Sequence, residues 1–194
     1  MELRVLTKES YEGIYEAHMR GDFAADELKP LAVMLEMYDR GAYVGYGLFE
    51  GDVLLGYAFL VIGDLPCALL DYLAICKGYR NEGAGSRFLD LIMEKLKEEG
   101  LAPSGVILES ERPEAGETEE EQDLRQHRLG FYDRNGFRLT QLHCFLFGVD
   151  FRILHRPAAK KDRLDDHEVF VELKRLYQQM GIWGDPRKIR LWEN

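Results

Sequence analysis

Cys67-Ala68-Leu69-Leu70-Asp71-Tyr72-Leu73-Ala74-Ile75-Cys76 is followed, after Lys77, by Gly78-Tyr79-Arg80-Asn81-Glu82-Gly83-Ala84-Gly85-Ser86. The first stretch is nearly all apolar apart from Asp71, as a central strand covered on both faces should be. The second is a glycine-containing turn. After it, Phe88, Leu89, Ile92, Met93 and Leu96 recur at helical spacing until Gly100. A strand, a glycine turn and a helix in this order have a physical consequence. The first amides of a helix have no intrahelical acceptor, and the helix dipole adds partial positive charge there. Together they form an anion site. Gly83 and Gly85 carry no side chain to keep a pyrophosphate from the backbone, and Arg80 adds a charged fork of donors. Two competing phosphate motifs are absent. There is no G-x-x-x-x-G-K-S/T, and Phe88 stands where a dinucleotide fingerprint needs its third glycine.

Upstream, residues 42–49 and 53–62 read as strands joined by the turn Glu50-Gly51-Asp52. A short strand at 3–6 opens the chain. Thr7 is the N-cap of a helix marked by Tyr11, Ile14, Tyr15 and His18. Pro30 opens a second helix with Leu31, Met34, Leu35 and Tyr38 on one stripe, ended by Gly41. Downstream, 106–108 starts a strand. Residues 109–123 are acidic and poor in apolar side chains, and read as a loop or a frayed helix start. A helix over 124–135 is closed by Gly136, and one or two strands occupy 137–149. The tail is basic over 155–163. It then forms an amphipathic helix over 165–180, with Val169, Phe170, Leu173, Leu176, Tyr177 and Met180 on one face. Asp165 and Glu168 take capping positions and Gly181 ends it. Short turns make strands two to four antiparallel, whereas the helical crossover from the fourth to the fifth makes that pair parallel. The expected fold is α/β: a mixed, mostly antiparallel central sheet with helices on both faces, plus a C-terminal helical extension. Residues 1–149 form the domain. Residues 150–194 form the extension, packed on the domain or on the partner of a two-fold homodimer, the commonest symmetric assembly.

The chain has 194 residues and a formal net charge of −10. That length suits one domain with an elaborated end. The negative charge repels phosphate backbones and argues against a nucleic-acid partner, while it suits a cationic acceptor such as an amine. No stretch approaches the ~20 apolar residues of a membrane span. Met1-Glu2-Leu3-Arg4 begins no signal-peptide pattern. Cys67, Cys76 and Cys144 are far apart and form no C-x-x-C pair, so neither a disulfide framework nor a zinc site is expected. The histidines form no metal pattern. The expected location is cytoplasmic.

Arg80-Asn81-Glu82-Gly83-Ala84-Gly85 resembles the R/Q-x-x-G-x-G/A signature of the GNAT N-acetyltransferase superfamily. Phe131-Tyr132-Asp133-Arg134-Asn135-Gly136-Phe137 is similar to its second signature, Y-x-x-x-G-F at the end of a helix. The two occur in the family's order and at a family-like separation, and the element order resembles that fold over residues 3–149. The resemblance implies acetyl-CoA as cosubstrate. Its pyrophosphate would meet the backbone amides of Asn81, Glu82, Gly83, Ala84, Gly85 and Ser86. Its pantetheine would lie along the fourth strand like an added strand, against the peptide groups of Leu73, Ala74 and Ile75. The fourth and fifth strands would splay apart to admit the thioester. The sequence departs from the family at Lys77, where relatives often have proline. It departs again at Arg125 and Arg128, where asparagine and alanine are frequent; Arg125 is either a CoA-phosphate contact or a solvated helix charge.

Acyl transfer from a thioester to an amine requires that the ammonium lose a proton, that the oxyanion be stabilised and that the leaving thiolate be protonated. Tyr132 matches the family tyrosine that faces the CoA sulfur and is the general-acid candidate. Glu109 and Glu111 are the base candidates. They lie two apart on the fifth strand and so share a face, near the end where the family's acceptor pocket sits. A partly buried carboxylate there would have a pKa raised toward neutrality. Asp71 is a rival or a structural residue. His143 and Cys144 are strand neighbours on opposite faces and make a poor nucleophile pair. Tyr11, Tyr15, Asp22, Asp26, Glu27 and Tyr38 are candidate acceptor-wall residues, with the acidic 109–123 segment opposite. The leading functional expectation is an acetyl-CoA-dependent N-acetyltransferase acting directly on a small-molecule amine. The alternatives are a protein N-terminal or lysine acetyltransferase and a non-catalytic acyl-CoA-binding module.

Overall fold

The computed structural model describes residues 1–25, 27–184 and 188–193. The chain opens with β1 (Glu2–Val5) and α1 (Lys8–Ile14), which continues through a π-helical turn into α2 (Arg20–Asp22). Thr7 caps α1 as expected, accepting the Ser10 amide at 3.4 Å. Then come α3 (Leu31–Asp39), β2 (Tyr43–Glu50), β3 (Val53–Val61), β4 (Cys67–Ile75), α4 (Ala84–Glu98) and β5 (Gly105–Glu111). The second half holds α5 (Glu119–Arg134), β6 (Arg138–Leu146), β7 (Val149–Arg156), α6 (Asp166–Gln179) and β8 (Ile189–Glu193).

Among the described residues, eight strands form one sheet in the order β1-β2-β3-β4-β5-β7-β6-β8, antiparallel except for the β4–β5 pair. One face carries α1, α3 and α6 over a core that includes Tyr11, Met34, Phe59, Leu69, Ile107, Leu173 and Tyr177. The other carries α4 and α5 over Leu60, Leu70, Phe88, Ile92, Leu108 and Phe137. The expected mixed sheet with helices on both faces is therefore present.

The structure adds detail to four sequence expectations. Residues 109–111 belong to β5. The fifth helix starts at Glu119 rather than Leu124, because Thr118 caps it by accepting the Glu121 amide at 3.2 Å. Glu119, Glu120 and Glu121 then favour its positive end. The 149/150 boundary falls in the β6–β7 hairpin, and β7 inserts between β5 and β6, so the tail shares the same sheet. Finally, the apolar stripe of α6 is covered within the chain. Val169, Leu173, Leu176 and Tyr177 are fully buried, each burial worth about 1.5–3 kcal/mol. The helix thus packs on its own sheet, one of the two arrangements expected for the extension. Its capping box, Asp165 with Glu168, forms as read.

Two irregularities of β4 open the sheet locally. Phe59 pairs with Tyr72 while Leu60 pairs with Leu70, so Asp71 is an extra residue in a bulge. The bulge resets the alternation: Leu70 faces α4, whereas Tyr72 faces the α3 side. In addition, β4–β5 pairing runs from Cys67↔Gly105 to Leu70↔Leu108 and stops. On its other edge β5 stays paired with β7 throughout, from Val106↔Arg156 to Glu111↔Phe151. A wedge opens between the two parallel strands, leaving the β5-facing edge of residues 71–75 without a strand partner.

Candidate active site

A cleft of about 1010 Å³ fills this wedge. Leu73, Ala74, Ile75, Arg80, Asn81, Gly83, Gly85 and Ser86 line one part of it, and Glu109, Glu111 and Tyr132 also reach it. Of the sequence candidates, Glu82 and Ala84 do not line it. Glu82 is exposed, and the Ala84 side chain is buried against the second core.

The glycine turn is built for close approach. Gly83 caps α4 in the left-handed region (φ +79°) with no side-chain cap, and a Cβ added there would meet nothing within 4 Å. Its space is open cleft. Gly85 serves differently, since a Cβ there would stand 3.1 Å from the Phe131 ring, so the two signature segments touch. Arg80 is half exposed. Its Nε donates to the Ile75 carbonyl at 2.8 Å and its Nη2 to Asp22 Oδ1 at 3.0 Å. Asp22 also accepts the Tyr57 hydroxyl at 2.9 Å. The phosphate turn is thereby tied to the end of the first helical segment. An unpaired strand edge, an uncapped helix start and an open glycine fit the pantetheine and pyrophosphate of acetyl-CoA.

Tyr132 projects from α5 with its ring against Phe131 and Phe137, at centroid distances of 5.3 and 5.5 Å. Its hydroxyl makes no hydrogen bond to another described residue. Burial raises its pKa and Arg128 opposes the rise, which keeps the phenol protonated and able to donate.

The two glutamates of β5 differ. Glu111 is held by Arg125 and by Arg128 at 3.2 Å. Arg125, which also donates to the Arg112 carbonyl at 3.3 Å, is thus a Glu111 partner rather than a solvated charge. Glu109 has no such cation. Burial pushes its carboxyl up to about 7, against a hydrogen bond from the Tyr177 hydroxyl and the charge of Lys29. Asp71 adds to the rise. Tyr177 lies on α6 and also meets Cys144 Sγ at 3.2 Å. Cys144 is therefore a buried partner of Tyr177. His143 is stacked on Trp192 at 5.6 Å, while Cys144 meets Tyr177, so these two strand neighbours do not contact each other as a nucleophile pair.

Asp71, which also lines the cleft, is held by two partners. Its side chain is 4% exposed, accepts the Lys29 ammonium at 2.6 Å and accepts the Tyr43 hydroxyl at 2.5 Å. Burial alone would lower the Lys29 pKa; Asp71 outweighs it and holds the amine charged. The segment before α3 is pinned around this pair. The Lys29 amide donates to the Tyr72 hydroxyl, which donates to the Glu27 carbonyl, both at 2.8 Å, and Tyr15 donates to the Lys29 carbonyl at 3.0 Å. Of the expected acceptor wall, Asp22 and Glu27 reach the cleft. Tyr11 is fully buried, with Tyr38 edge-on at 5.1 Å, and Tyr15 is buried. Asp26 lies outside the described residues. The remaining wall comes from parts the sequence did not single out: Leu28, Lys29 and Val33, the β6–β7 turn with Phe147, Phe151 of β7, and Met180 and Ile182 after α6. Among the described residues no group of side chains suits a metal ion, and no helix is long and apolar enough to cross a membrane.

A splayed parallel pair with an anion-binding helix start beside it defines an acyl-CoA-dependent acyltransferase fold. The family model for the GNAT acetyltransferases matches residues 11–137, and the chain belongs to that family. It is an N-acetyltransferase that uses acetyl-CoA. No curated protein matches it significantly. Solved structures agree on the fold. A GNAT-family protein from Bacteroides thetaiotaomicron superposes with a TM-score of 0.71 at 21% identity, covering 95% of this chain and 100% of that one. A Bacillus subtilis acetyltransferase in complex with CoA gives 0.55 at 18%, covering 80% and 97%. The ribosomal-protein-S18-alanine N-acetyltransferase of Escherichia coli gives 0.57 at 16%, covering 81% and 94%.

Proposed function

We propose that the enzyme acetylates the amine of a small molecule by direct transfer, with Glu109 as general base and Tyr132 as general acid. The observation that carries this reading is Glu109: a carboxyl in the wall of the wedge, poised at about 7 and free of any ion pair to a described residue. A base with that pKa accepts a proton near neutral pH and is still ionised often enough to act. A small acceptor is supported by the β6–β7 turn and the end of α6, which add Phe147, Met180 and Ile182 to the cleft.

In this reading the edge of Leu73, Ala74 and Ile75 holds the pantetheine. The amides of Asn81, Glu82, Gly83, Ala84, Gly85 and Ser86, with Arg80, hold the pyrophosphate. When bound, acetyl-CoA supplies the acetyl thioester. Glu109 takes one proton from the acceptor ammonium, directly or through a water, so that the nitrogen lone pair can form the amide C–N bond as the C–S bond breaks. Tyr132 gives its hydroxyl proton to the departing sulfur. The second proton shed by the nitrogen as the amide forms returns to the Tyr132 phenolate through water, and Glu109 releases its proton to solvent. No covalent enzyme adduct is needed. The test is CoA release from acetyl-CoA with an amine acceptor. Tyr132→Phe should lower kcat by ~10²–10⁴-fold and leave the acetyl-CoA KM unchanged, because the hydroxyl matters only as charge develops on sulfur. Full kcat in that variant would reduce Tyr132 to packing and remove the acid from the mechanism.

A further inference from the structure

We infer that the acceptor is an apolar monoamine, one cationic nitrogen on an alkyl or arylalkyl body, rather than a polyamine. This rests on the acceptor-site reading above and deepens it.

The first argument is the fate of each carboxylate along the cleft. Asp22 is 8% exposed and engaged by Arg80 and Tyr57. Asp71 is engaged by Lys29 and Tyr43. Glu111 is engaged by Arg125 and Arg128. Glu27, where the chain passes from α2 to α3, is not free either. Glu109 is bound by the neutral Tyr177 hydroxyl and by no cation within ion-pair distance among the described residues. The inner cleft thus offers one negative charge to an acceptor, and that charge belongs to the base. A polyamine brings two or more ammonium groups. Those not at Glu109 would have to compete with Arg80, Lys29, Arg125 or Arg128 for a carboxylate already paired, or stay in the cleft uncompensated. An unpaired charge taken out of water is costly.

The second argument is the rest of the wall. Leu28, Val33, Phe147, Phe151, Met180 and Ile182 line the same cleft and come from three separate parts of the chain. Such a surface favours hydrocarbon in an acceptor. A buried methylene is worth about 0.8 kcal/mol, which is roughly fourfold per CH₂ in kcat/KM.

The experiment compares matched acceptors in the CoA-release assay at fixed acetyl-CoA: butylamine, hexylamine and 2-phenylethylamine against 1,6-diaminohexane, spermidine and a short peptide with a free N-terminus. The expected result is a rise of roughly fourfold per methylene from butylamine toward hexylamine, with hexylamine exceeding 1,6-diaminohexane on the order of 100-fold in kcat/KM. Phe147→Ala should shrink the gain from chain length without abolishing turnover. If spermidine or the diamine equals or exceeds hexylamine, the inference is overturned while the base and acid assignments stand. Preference for the peptide overturns it in the same way. If no amine in the panel releases CoA, the small-amine reading itself fails and the inference with it.

Discussion

Replacing Tyr177 by phenylalanine removes one oxygen, and with it the hydrogen bond that α6 donates to Glu109. The structure fixes the direction of the effect. Burial raises the Glu109 pKa and the Tyr177 hydrogen bond is the largest opposing influence, so its loss must raise the pKa further from about 7. A hydrogen bond to a charged acceptor is worth ~1.5–3 kcal/mol, or ~1–2 pKa units at 1.36 kcal/mol each. Glu109 should then titrate near ~8–9. At pH 7 the ionised fraction falls from about one half to between about one tenth and one hundredth, which predicts a ~5–50-fold loss in acceptor kcat/KM at that pH. Above about pH 10 the loss should vanish, because the base is ionised again. The assay is the pH dependence of kcat/KM for an amine acceptor, with acetyl-CoA affinity measured separately by calorimetry and expected to be unchanged. The phenylalanine ring keeps the packing of a fully buried site. A circular-dichroism melt checks that the loss of the Cys144 contact has not unfolded α6. A folded Tyr177→Phe enzyme whose acid limb stays near pH 7 would refute the reasoning, since either Glu109 is not the base or the extension does not tune it.

Gly83→Val should abolish the stabilisation that acetyl-CoA confers on thermal unfolding, because the new side chain occupies open cleft at the helix start. The left-handed φ should cost the free protein only about 1–2 kcal/mol, and undiminished calorimetric affinity in the folded variant would contradict the phosphate-turn assignment. Glu109 also predicts a stability profile. Its folded pKa of about 7 lies above the ordinary 4.5, so the native state holds an extra proton between those values. The associated stability is fully present below about pH 4.5 and is lost as pH rises through 7, a swing of roughly 3 kcal/mol. Glu109→Gln has no such proton to lose. Urea titrations should therefore show it gaining on the parent between pH 5 and pH 8, and a constant difference would mean Glu109 ionises normally in the fold. Lys29→Met leaves the buried Asp71 carboxylate without its cation and should destabilise by ~3–5 kcal/mol, with partial recovery when Asp71→Asn is added. Additive rather than compensating losses in that cycle would show that the pair is not coupled.

Much of the scaffold was legible because its signals are local. Thr7, Asp165 with Glu168, and the glycines at 41, 100, 136 and 181 act on their own few residues, through a cap or a positive φ, and they marked the ends of elements correctly. The alternating and helical spacings of apolar side chains gave the mixed sheet, and the two signature segments placed the cleft. The acidic run 117–121 is readable as a loop or as a helix start, and in the structure it is the start of α5, capped by Thr118 with the charges at the helix's positive end.

Other features could not be read from the chain. Glu109 and Glu111 sit two apart on one strand and are indistinguishable by sequence. One becomes a poised carboxyl and the other an arginine-bound one, because Tyr177 arrives from 68 residues away and Arg125 and Arg128 from a neighbouring helix. Asp22 and Arg80, 58 residues apart, meet only after the first helical segment folds over the end of β4. Asp71 reads as an anomaly in an apolar strand until the bulge turns it toward Lys29. The sequence by itself determined most of the elements, the sheet type and the glycine turn before α4, since these arise from the conformational preferences of contiguous residues. The tertiary structure alone decided which carboxylate is paired and which is held ready. Burial and charge pairing act through space, and the distances they depend on exist only once the strands have splayed and the tail helix has docked.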